Sequence, residues 1–328
     1  MNVMYLCNND YADIAGVSIL SLLEHNKMLP EIHIYLVADH VSGENRKRLK
    51  QVVEEYGREL TIIDMPDIKS LAGCEIELHW WIPNVFSRVF LQEVLKEYPE
   101  VKRLIYMDCD TLIVGSLEEL WQMELQGYIG AGVCEAMGDW HKKAIGLKSD
   151  SAYFNAGMFM VDVEKWKHEK MDAQAGAFIR EKQGRLEYAD ESVLNGILAK
   201  RMLLVSPKYN LTSLSVYFTA EELVRYRKSS VNYTEQERCE ALEDARVVHF
   251  TSTFLDVRPW MEGSKHPYAK EWCFYKGRSP WKDEPLRRDN RSGKKKAACR
   301  LMGILPRGLR LELAGFMHAY IKPLRYLR

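Results

Sequence analysis

Asp108 and Asp110 lie two positions apart at the end of an apolar run, in the segment Tyr106-Met107-Asp108-Cys109-Asp110-Thr111. Side chains at positions i and i+2 of an extended segment point to the same side, so both carboxylates can bind one cation. Magnesium and manganese ions favour such oxygen ligands. The pair has an alternative explanation, because Asp is also common where a strand ends in a turn.

Three further polar groups follow predicted strands, namely Asn8-Asn9-Asp10, Asn155 and His249. Each has a structural explanation, since Asn and Asp favour turns and a single His after a strand is more often a hydrogen-bonded surface residue than a ligand. In open α/β sheets, however, ligands bind beyond the carboxyl ends of the strands. The shared position of these residues at strand ends therefore favours one functional site.

The elements that must position these residues are visible as short apolar runs that alternate with helical patterns. This alternation predicts an α/β fold with helices on the faces of a sheet. Strands are predicted at 2–7, 32–37, 60–63, 103–107, 129–133, 158–161 and 246–249. Helices are predicted at about 14–23, 43–56, 83–98, 117–123 and 190–200. Ser116 and Glu119 have the spacing of a capping box at the start of the fourth helix.

The distribution of charge divides the chain into two parts. The 328 residues include 46 basic and 46 acidic side chains, so the formal net charge is zero. Residues 276–328 contain 15 basic and 4 acidic residues, which gives this segment +11 and leaves −11 on residues 1–275. We therefore predict a catalytic body over 1–275 and a basic tail over 276–328, and we expect the low-complexity patch Arg291 to Lys296 to separate body from tail.

The tail pattern predicts an amphipathic helix, because apolar residues recur at helical spacing at Leu309, Leu313, Phe316, Tyr320 and Leu324. A basic helix of this kind suits an anionic membrane surface, near which each Lys or Arg contributes about 1 kcal/mol. The alternative is a helix that packs on the body with its basic residues in solvent. Nucleic acid is disfavoured as a partner, because the motifs of DNA- and RNA-binding modules are absent from the sequence.

The cysteines and the chain ends predict a cellular location. Seven cysteines are scattered along the sequence without a Cys-x-x-Cys pair, a pattern typical of reduced intracellular thiols. The N-terminus lacks the pattern of a signal peptide, and no apolar stretch reaches the roughly 20 residues that cross a bilayer. We expect a cytoplasmic protein that is peripherally associated with the inner face of the cell membrane.

Six motifs of this chain occur in the order seen in family 8 glycosyltransferases, which the chain resembles over about residues 1–275. These motifs are Asn8-Asn9-Asp10-Tyr11, Phe86-Ser87-Arg88, the acidic segment Tyr106 to Thr111, Phe154-Asn155-Ala156-Gly157, Asp190 to Asn195, and His249-Phe250 through Arg258-Pro259-Trp260. Members of this family are retaining enzymes of the GT-A fold. The resemblance therefore implies a Rossmann-like mixed sheet flanked by helices, here followed by a basic amphipathic tail.

The resemblance also implies a ligand set. Asp108, Asp110 and His249 would hold a manganese ion, with magnesium as the alternative, that bridges the diphosphate of UDP-glucose or UDP-galactose. Two carboxylates and an imidazole suit this cation. The implied donor contacts are the uridine at Asn8, Asn9 and Asp10, the sugar or phosphate at Arg88, the sugar pocket at Asn155, Asp190 and Glu191, and the leaving diphosphate at Arg258.

Two positions depart from the family pattern and bear on the mechanism. Glu191 stands where a Gln is expected, and Arg258 stands where a Lys is expected. The segment between His249 and Arg258 is also longer than the corresponding segment in the Lys-containing version. A carboxylate at position 191 permits a covalent glycosyl intermediate. Because the family position is usually an amide, we expect front-face attack within an ion pair instead, with Glu191 stabilising the cationic sugar. Glu191, Asp190 and Arg258 are thus the predicted catalytic residues.

These observations predict a metal-dependent retaining hexosyltransferase that moves glucose or galactose from a UDP-sugar to a saccharide or lipid-linked acceptor, in lipopolysaccharide or cell-surface polysaccharide synthesis. One alternative is a haloacid-dehalogenase-like phosphatase, whose nucleophile motif resembles Leu104 to Leu112. Those enzymes usually place the motif on their first strand with Gly after the second Asp, whereas Thr111 follows here. The other alternative is a non-catalytic, membrane-bound protein that binds a nucleotide sugar.

Overall fold

The computed structural model describes residues 1–77, 83–289 and 291–321. Strands and helices alternate over most of this length, as the apolar pattern predicts. The strands are β1 Asn2–Asn8, β2 His33–Asp39, β3 Glu59–Asp64, β4 Arg103–Met107, β5 Thr111–Ile113, β6 Gly130–Cys134, β7 Phe154–Asp162, β8 Met202–Val205, β9 Leu211–Thr212 and β10 Val247–His249.

The helices cover the faces and one end of the sheet. Their bounds are α1 Ala12–His25, α2 Gly43–Glu54, α3 Ile68–Ala72, α4 Leu91–Val94, α5 Glu118–Gln122, α6 Asp139–Ala144, α7 Val163–His168, α8 Met171–Glu181, α9 Ala189–Leu198, α10 Ser213–Tyr217, α11 Ala220–Arg227, α12 Glu235–Glu243, α13 Ala269–Arg278, α14 Gly293–Ile304 and α15 Arg307–Phe316. Single 3-10 segments span Asn9–Tyr11, Pro83–Val89 and Pro207–Tyr209, and a π-helical segment spans Met317–Ile321.

The main sheet is mixed and has the strand order β3-β2-β1-β4-β7-β6-β8. Strands β3, β2, β1 and β4 are parallel, whereas β7 runs antiparallel to both of its neighbours. Alternate side chains of β1 enter two different cores, with Val3 and Tyr5 on the face covered by α1 and Met4 and Leu6 on the opposite face. Burial on both faces explains why the strand reads as a continuous apolar run.

A second, three-stranded sheet positions the acidic pair. It has the order β5-β10-β9, and β5 begins one residue after Asp110. Asp108 and Asp110 therefore lie in the short connection between the two sheets. The antiparallel pairing of β10 with β5 places His249 opposite Thr111. This register brings the histidine next to the pair although 139 residues separate it from Asp110 in sequence.

Three local predictions differ from the structure. The helix predicted at 83–98 is a 3-10 segment followed by the short α4, because Phe90 has a non-helical backbone conformation between them. The capping box predicted at Ser116 is wrong, since the N-cap of α5 is Leu117 and the Ser116 hydroxyl accepts from the Glu118 amide. Strand β7 begins at Phe154, so the motif around Asn155 lies in a strand rather than in a bend.

The predicted boundary at residue 276 lies inside α13, which spans Ala269–Arg278. The chain beyond it continues to pack on the body. The Lys276 ammonium donates to the Trp281 carbonyl at 2.7 Å, and the buried Trp281 ring lies against Gly16 of α1. Arg287 pairs with Asp13 at 2.5 Å. These contacts pack the segment from Trp281 to Arg287 against α1.

Helix α15 packs on α11 and leaves its predicted apolar stripe outside. Leu311 and Gly315 are buried against α11, and Glu312 pairs with the last turn of that helix. Leu309, Leu313 and Phe316 are exposed by 49%, 46% and 53% respectively, and Leu324 lies outside the described residues. Within the part of the chain that the structure describes, no helix is both long enough and apolar enough to span a membrane.

Candidate functional site

Asp108 is held in place by hydrogen bonds from three directions. Its backbone amide donates to the Gly157 carbonyl at 2.7 Å, where β7 runs beside the end of β4. The Tyr106 hydroxyl donates to its Oδ1 at 2.7 Å, and the Arg88 Nη1 lies 3.0 Å from the same oxygen. This leaves Oδ2 directed toward the predicted cation ligands, at 3.8 Å from the His249 Nε2.

His249 completes the cation group, the three side chains Asp108, Asp110 and His249 that could together hold a metal ion. Its Nε2 lies 3.3 Å from the Asp110 Oδ1, and ligating atoms of Asp108, Asp110 and His249 all lie within 4.8 Å of one another. Its Nδ1 lies 3.0 Å from the Asn210 Oδ1, an acceptor, so Nδ1 carries a proton, and the neutral imidazole would present the Nε2 lone pair to a cation. Two carboxylates and this nitrogen form a donor set that fits manganese or magnesium.

Gly157 is required for this approach of the histidine. A Cβ at this position would lie 2.1 Å from the His249 Cε1 and 2.6 Å from its Nδ1. Contacts of that length do not occur, so any side chain at position 157 would displace the imidazole. The Gly of the Phe-Asn-Ala-Gly motif thus serves close packing of β7 against the histidine.

The charges of the group are strongly coupled to their surroundings. Burial opposes ionisation of Asp110, but His249 and Arg258 outweigh it and lower the pKa of Asp110 to about 2. Burial raises the pKa of Asp108, although Arg88 partly offsets this effect. The His249 pKa is raised, because Asp110 and Asp108 outweigh the burial that disfavours the imidazolium. A divalent cation here would replace the proton as the partner of these carboxylates.

Arg88 is buried and joins the acidic pair to the helix α9. Its Nε lies 2.9 Å from the Asp190 Oδ2, and its Nη1 donates to the Ala156 carbonyl at 2.9 Å as well as reaching Asp108. Its guanidinium lies over the Tyr106 ring, 4.3 Å from the ring centre. A planar guanidinium suits such a multidentate position, in which it fixes two carboxylates relative to each other.

Asp190 and Glu191 lie in the first turn of the helix α9. Both oxygens of Glu191 accept hydrogen bonds at 3.0 Å, Oε1 from the Tyr153 hydroxyl and Oε2 from the Ala156 amide. Burial and the Glu135 carboxylate raise the pKa of Glu191 to about 8. Burial raises the pKa of Asp190 to about 7 despite Arg88 beside it. Glu191 therefore carries a proton over much of the neutral range.

Arg258 lies on the other side of the acidic pair. Its Nη2 lies 3.3 Å from the Asp110 Oδ2 and donates to the Ser252 hydroxyl at 3.0 Å. Its Nη1 donates to the Tyr11 hydroxyl at 2.9 Å, which links it to the end of β1. The structure thus brings Arg258 to the cation group from a loop that follows β10.

The Asn8-Asn9-Asp10 group lies at the carboxyl end of β1, as predicted, but two of its side chains make turn contacts. The Asn8 Oδ1 accepts from the Tyr11 amide at 3.1 Å. The Asn9 Oδ1 accepts from the Ser42 amide at 2.9 Å and so joins β1 to the start of α2. Asp10 is exposed. The structural explanation therefore accounts for the contacts of Asn8 and Asn9.

Asn155 contacts residues that the sequence patterns do not reveal. Its Oδ1 accepts from the Asn210 Nδ2 at 2.8 Å and from the Gly157 amide at 2.9 Å. Its Nδ2 donates to the Glu135 Oε2 at 2.6 Å. Glu135 directly follows β6, so its position at a strand end was a usable signal. Asn210 precedes the two-residue strand β9, which has no recognisable apolar pattern.

Comparison with known proteins gives a consistent result for this arrangement. Residues 2–263 match the family model described as glycosyl transferase family 8. General stress protein A of Bacillus subtilis is 23% identical over 283 residues, which cover 86% of this chain and 94% of that protein. Lipopolysaccharide 1,2-glucosyltransferase of Escherichia coli K12 is 25% identical over 293 residues, which cover 88% of this chain and 80% of that protein.

A solved structure shares the fold. The galactosyltransferase LgtC, crystallised with donor and acceptor sugar analogues, superposes with a TM-score of 0.72 at 18% sequence identity. The alignment covers 85% of this chain and 96% of that chain. This similarity confirms the predicted GT-A fold with its mixed sheet flanked by helices.

Proposed function

The chain belongs to glycosyltransferase family 8, and we propose that it transfers glucose or galactose from a UDP-sugar to a hydroxyl group of a saccharide or lipid-linked acceptor. The pathway we propose is the synthesis of lipopolysaccharide or another cell-surface polysaccharide. Similarity to a lipopolysaccharide glucosyltransferase supports this substrate class, as does the fold shared with a galactosyltransferase. The family match covers residues 2–263, including the acidic pair, and so excludes the phosphatase alternative.

The observation that carries the proposal is the convergence of Asp108, Asp110 and His249 at the junction of the two sheets. We propose that they hold Mn²⁺, or alternatively Mg²⁺, in contact with the donor diphosphate. When bound, the cation would stabilise the negative charge of the leaving diphosphate. Arg258, 3.3 Å from Asp110, would add a second positive charge on the same side.

The remaining donor contacts follow from the positions of the motif residues. Asn8, Asn9 and Asp10 would form the uridine end, and Asn155 with Asp190 would border the sugar. We propose that Arg88 acts mainly by holding Asp108 and Asp190, since its guanidinium contacts both carboxylates and the Ala156 carbonyl. Preorganised charges of this kind need no rearrangement during the reaction.

We propose front-face attack with retention of configuration rather than a covalent intermediate on Glu191. Both oxygens of Glu191 are hydrogen-bonded to Tyr153 and Ala156, which restrains the carboxyl group. Its pKa of about 8 favours the protonated, weakly nucleophilic form at neutral pH. Its role would be to lie beside the sugar and stabilise positive charge that develops there.

We further propose that the enzyme works at the cytoplasmic face of the cell membrane, where the tail meets anionic lipid. The exposed stripe of Leu309, Leu313 and Phe316 lies on a helix whose surroundings include Arg307 and Arg310. Apolar side chains flanked by basic residues suit the boundary between headgroups and acyl chains.

The proposal is tested by UDP release from a panel of UDP-sugars with and without Mn²⁺, in the absence of acceptor. We expect slow hydrolysis of UDP-glucose or UDP-galactose that requires the metal. Asp108→Ala should reduce this hydrolysis at least about 100-fold, because a cation ligand and the partner of Arg88 are lost together. Asp283→Ala, an exposed substitution after α13, is the matched control. Undiminished UDP release by Asp108→Ala would refute the metal site, and absence of turnover would favour a non-catalytic binding protein.

A further inference from the structure

A continuous series of hydrogen bonds begins at the cation group and leads away from the donor site. The His249 Nδ1 contacts the Asn210 Oδ1 at 3.0 Å, and the Asn210 Nδ2 donates to the Asn155 Oδ1 at 2.8 Å. The Asn155 Nδ2 donates in turn to the Glu135 Oε2 at 2.6 Å. Each side chain in this series is oriented by the next one, so the imidazole orientation depends on Glu135.

The series continues into the C-terminal helices. The Arg227 Nη2, at the end of α11, lies 3.0 Å from the Glu135 Oε1. The Arg227 Nη1 donates to the Nε2 of His318, and the Tyr188 hydroxyl lies 2.8 Å from that nitrogen. The His318 carbonyl also contacts the His141 Nε2 at 3.0 Å. His318 belongs to the π-helical segment after α15, so the tail contributes a half-buried side chain to this network.

The junction between α15 and this π-helical segment has two faces. Phe316, the last residue of α15, and Met317 are exposed by 53% and 59%, whereas His318 points inward to Arg227. Arg227 is itself only 8% exposed. Loss of a hydrogen-bond partner of a buried guanidinium leaves an uncompensated polar group. His318 is therefore well placed to keep Arg227 aligned with Glu135.

We propose that His318 is a positioning residue of the transfer site. Through Arg227 it orients Glu135 and Asn155, and through them the His249 imidazole. The C-terminal helices then have a role within the site in addition to their proposed membrane contact. This inference goes beyond the proposed function, because it concerns the geometry of cation binding and not the identity of the sugar or the acceptor.

The test compares His318→Ala, His318→Gln and the control His168→Ala, which changes an exposed histidine at the end of α7. The measurement is the Mn²⁺ concentration that half-saturates UDP binding, obtained by isothermal titration calorimetry on the full-length protein without membranes. We expect His318→Ala to raise this concentration about tenfold, the smaller of the usual effects of outer-shell partners. His318→Gln should stay close to wild type, because its amide oxygen can accept from Arg227, and His168→Ala should be unchanged.

The measurement separates positioning from a purely structural role. Partial unfolding would reduce the amount of protein that binds UDP, but the half-saturating Mn²⁺ concentration of the folded fraction would remain the same. Wild-type Mn²⁺ dependence in His318→Ala would overturn the proposal. If His318→Ala does not fold, Arg227→Lys tests the same link, because one ammonium group cannot replace the two guanidinium nitrogens that contact His318 and Glu135. An unchanged Mn²⁺ dependence in Arg227→Lys would also overturn the proposal.

Failure of the His318 proposal can be distinguished from failure of the proposed function. Wild-type protein that binds UDP with Mn²⁺ but hydrolyses neither UDP-glucose nor UDP-galactose would contradict the proposed donor and leave the His318 comparison valid. Absence of Mn²⁺-dependent UDP binding in the wild type would overturn both proposals.

Discussion

Glu191 shows how surroundings alter the chemistry of a single residue. The Tyr153 hydroxyl and the Ala156 amide each occupy one of its oxygens, and burial raises its pKa to about 8. A protonated carboxyl group resembles an amide in size and in hydrogen-bonding capacity. The departure from the Gln usual at this family position is therefore a smaller chemical change than the sequence suggests.

Replacement of Glu191 by Gln is the sharpest test at this scale. We expect Glu191→Gln to retain more than a tenth of the wild-type transfer rate. The amide oxygen can accept from the Ala156 amide and the amide NH2 can donate to the Tyr153 hydroxyl oxygen, and front-face attack needs no nucleophile from the protein. Single-turnover assays would measure the rate. Complete loss of transfer would instead support a covalent intermediate on Glu191.

Stability against pH provides the control for this variant. The pKa of Glu191 in the folded protein, about 8, lies above the ordinary value of 4.5, so the folded state holds the proton more tightly. The free energy of unfolding contributed by this group therefore falls as pH rises from about 4.5 to 8. Glu191→Gln should melt at a higher temperature than wild type at pH 9 and at a similar temperature at pH 5.

At the scale of elements, strand pairing assembles the cation group. Asp108 and Asp110 lie between β4 of the main sheet and β5 of the small one, and β10 pairs with β5 so that His249 is opposite Thr111. Antiparallel β7 brings its first residues, including Gly157, to the carboxyl ends of the parallel strands. The absence of a side chain on Gly157 then leaves room for the imidazole.

One face of helix α15 packs on the body, and the opposite face is exposed. Serine substitutions at Leu309, Leu313 and Phe316 should weaken flotation with anionic liposomes at least about tenfold, because roughly half of each apolar side chain is available for burial in the bilayer. Flotation of the purified protein with vesicles of defined phosphatidylserine content measures the effect.

The controls for flotation are a surface substitution and a truncation. Met28→Ser changes an exposed apolar residue after α1 and should float like wild type. Truncation after Asp289 removes α14 and α15 and should abolish flotation. Equal flotation of the triple variant and the wild type would eliminate the stripe as a membrane contact and favour a helix that only packs on the body.

At the scale of the whole molecule, the segment after α13 packs on α1 and α2. Trp281 is buried against Gly16 of α1, where a Cβ would lie 2.3 Å from the indole Cζ3, and its Nε1 donates to the Asn45 Oδ1 at 3.1 Å. The segment after α13 therefore closes one side of the core beneath α1 and α2.

Trp281→Ala should lower the free energy of unfolding by about 3–5 kcal/mol, the usual cost of removing a large buried aromatic side chain. Urea denaturation measures this cost. Phe274→Ala, on the exposed face of α13, is the matched control and should change stability by less than about 0.5 kcal/mol. Similar stabilities of the two variants would support a body that ends at residue 275, as the charge distribution predicts.

The sequence predicted most of the main sheet, because strands buried on both faces are continuous apolar runs that differ clearly from helices. It missed β5, β8 and β9, which are short or partly exposed and therefore carry little apolar pattern. The site residues that lie in ordered motifs were predicted individually. Glu135, Arg227 and His318 were not, since hydrogen bonds between distant segments leave no periodic signal.

By itself, the sequence determined the family, the α/β class and the residues able to bind a cation, because each depends on residue type and on local spacing. Only the tertiary structure decided that His249 lies next to Asp110 and that Arg88 contacts two carboxylates. It also decided that His318 of the tail is linked to Asn155 through Arg227 and Glu135. Those contacts join residues far apart in the chain, and strand register and helix packing determine them. The acidic pair is thus a candidate cation site because of the residues that the fold brings next to it.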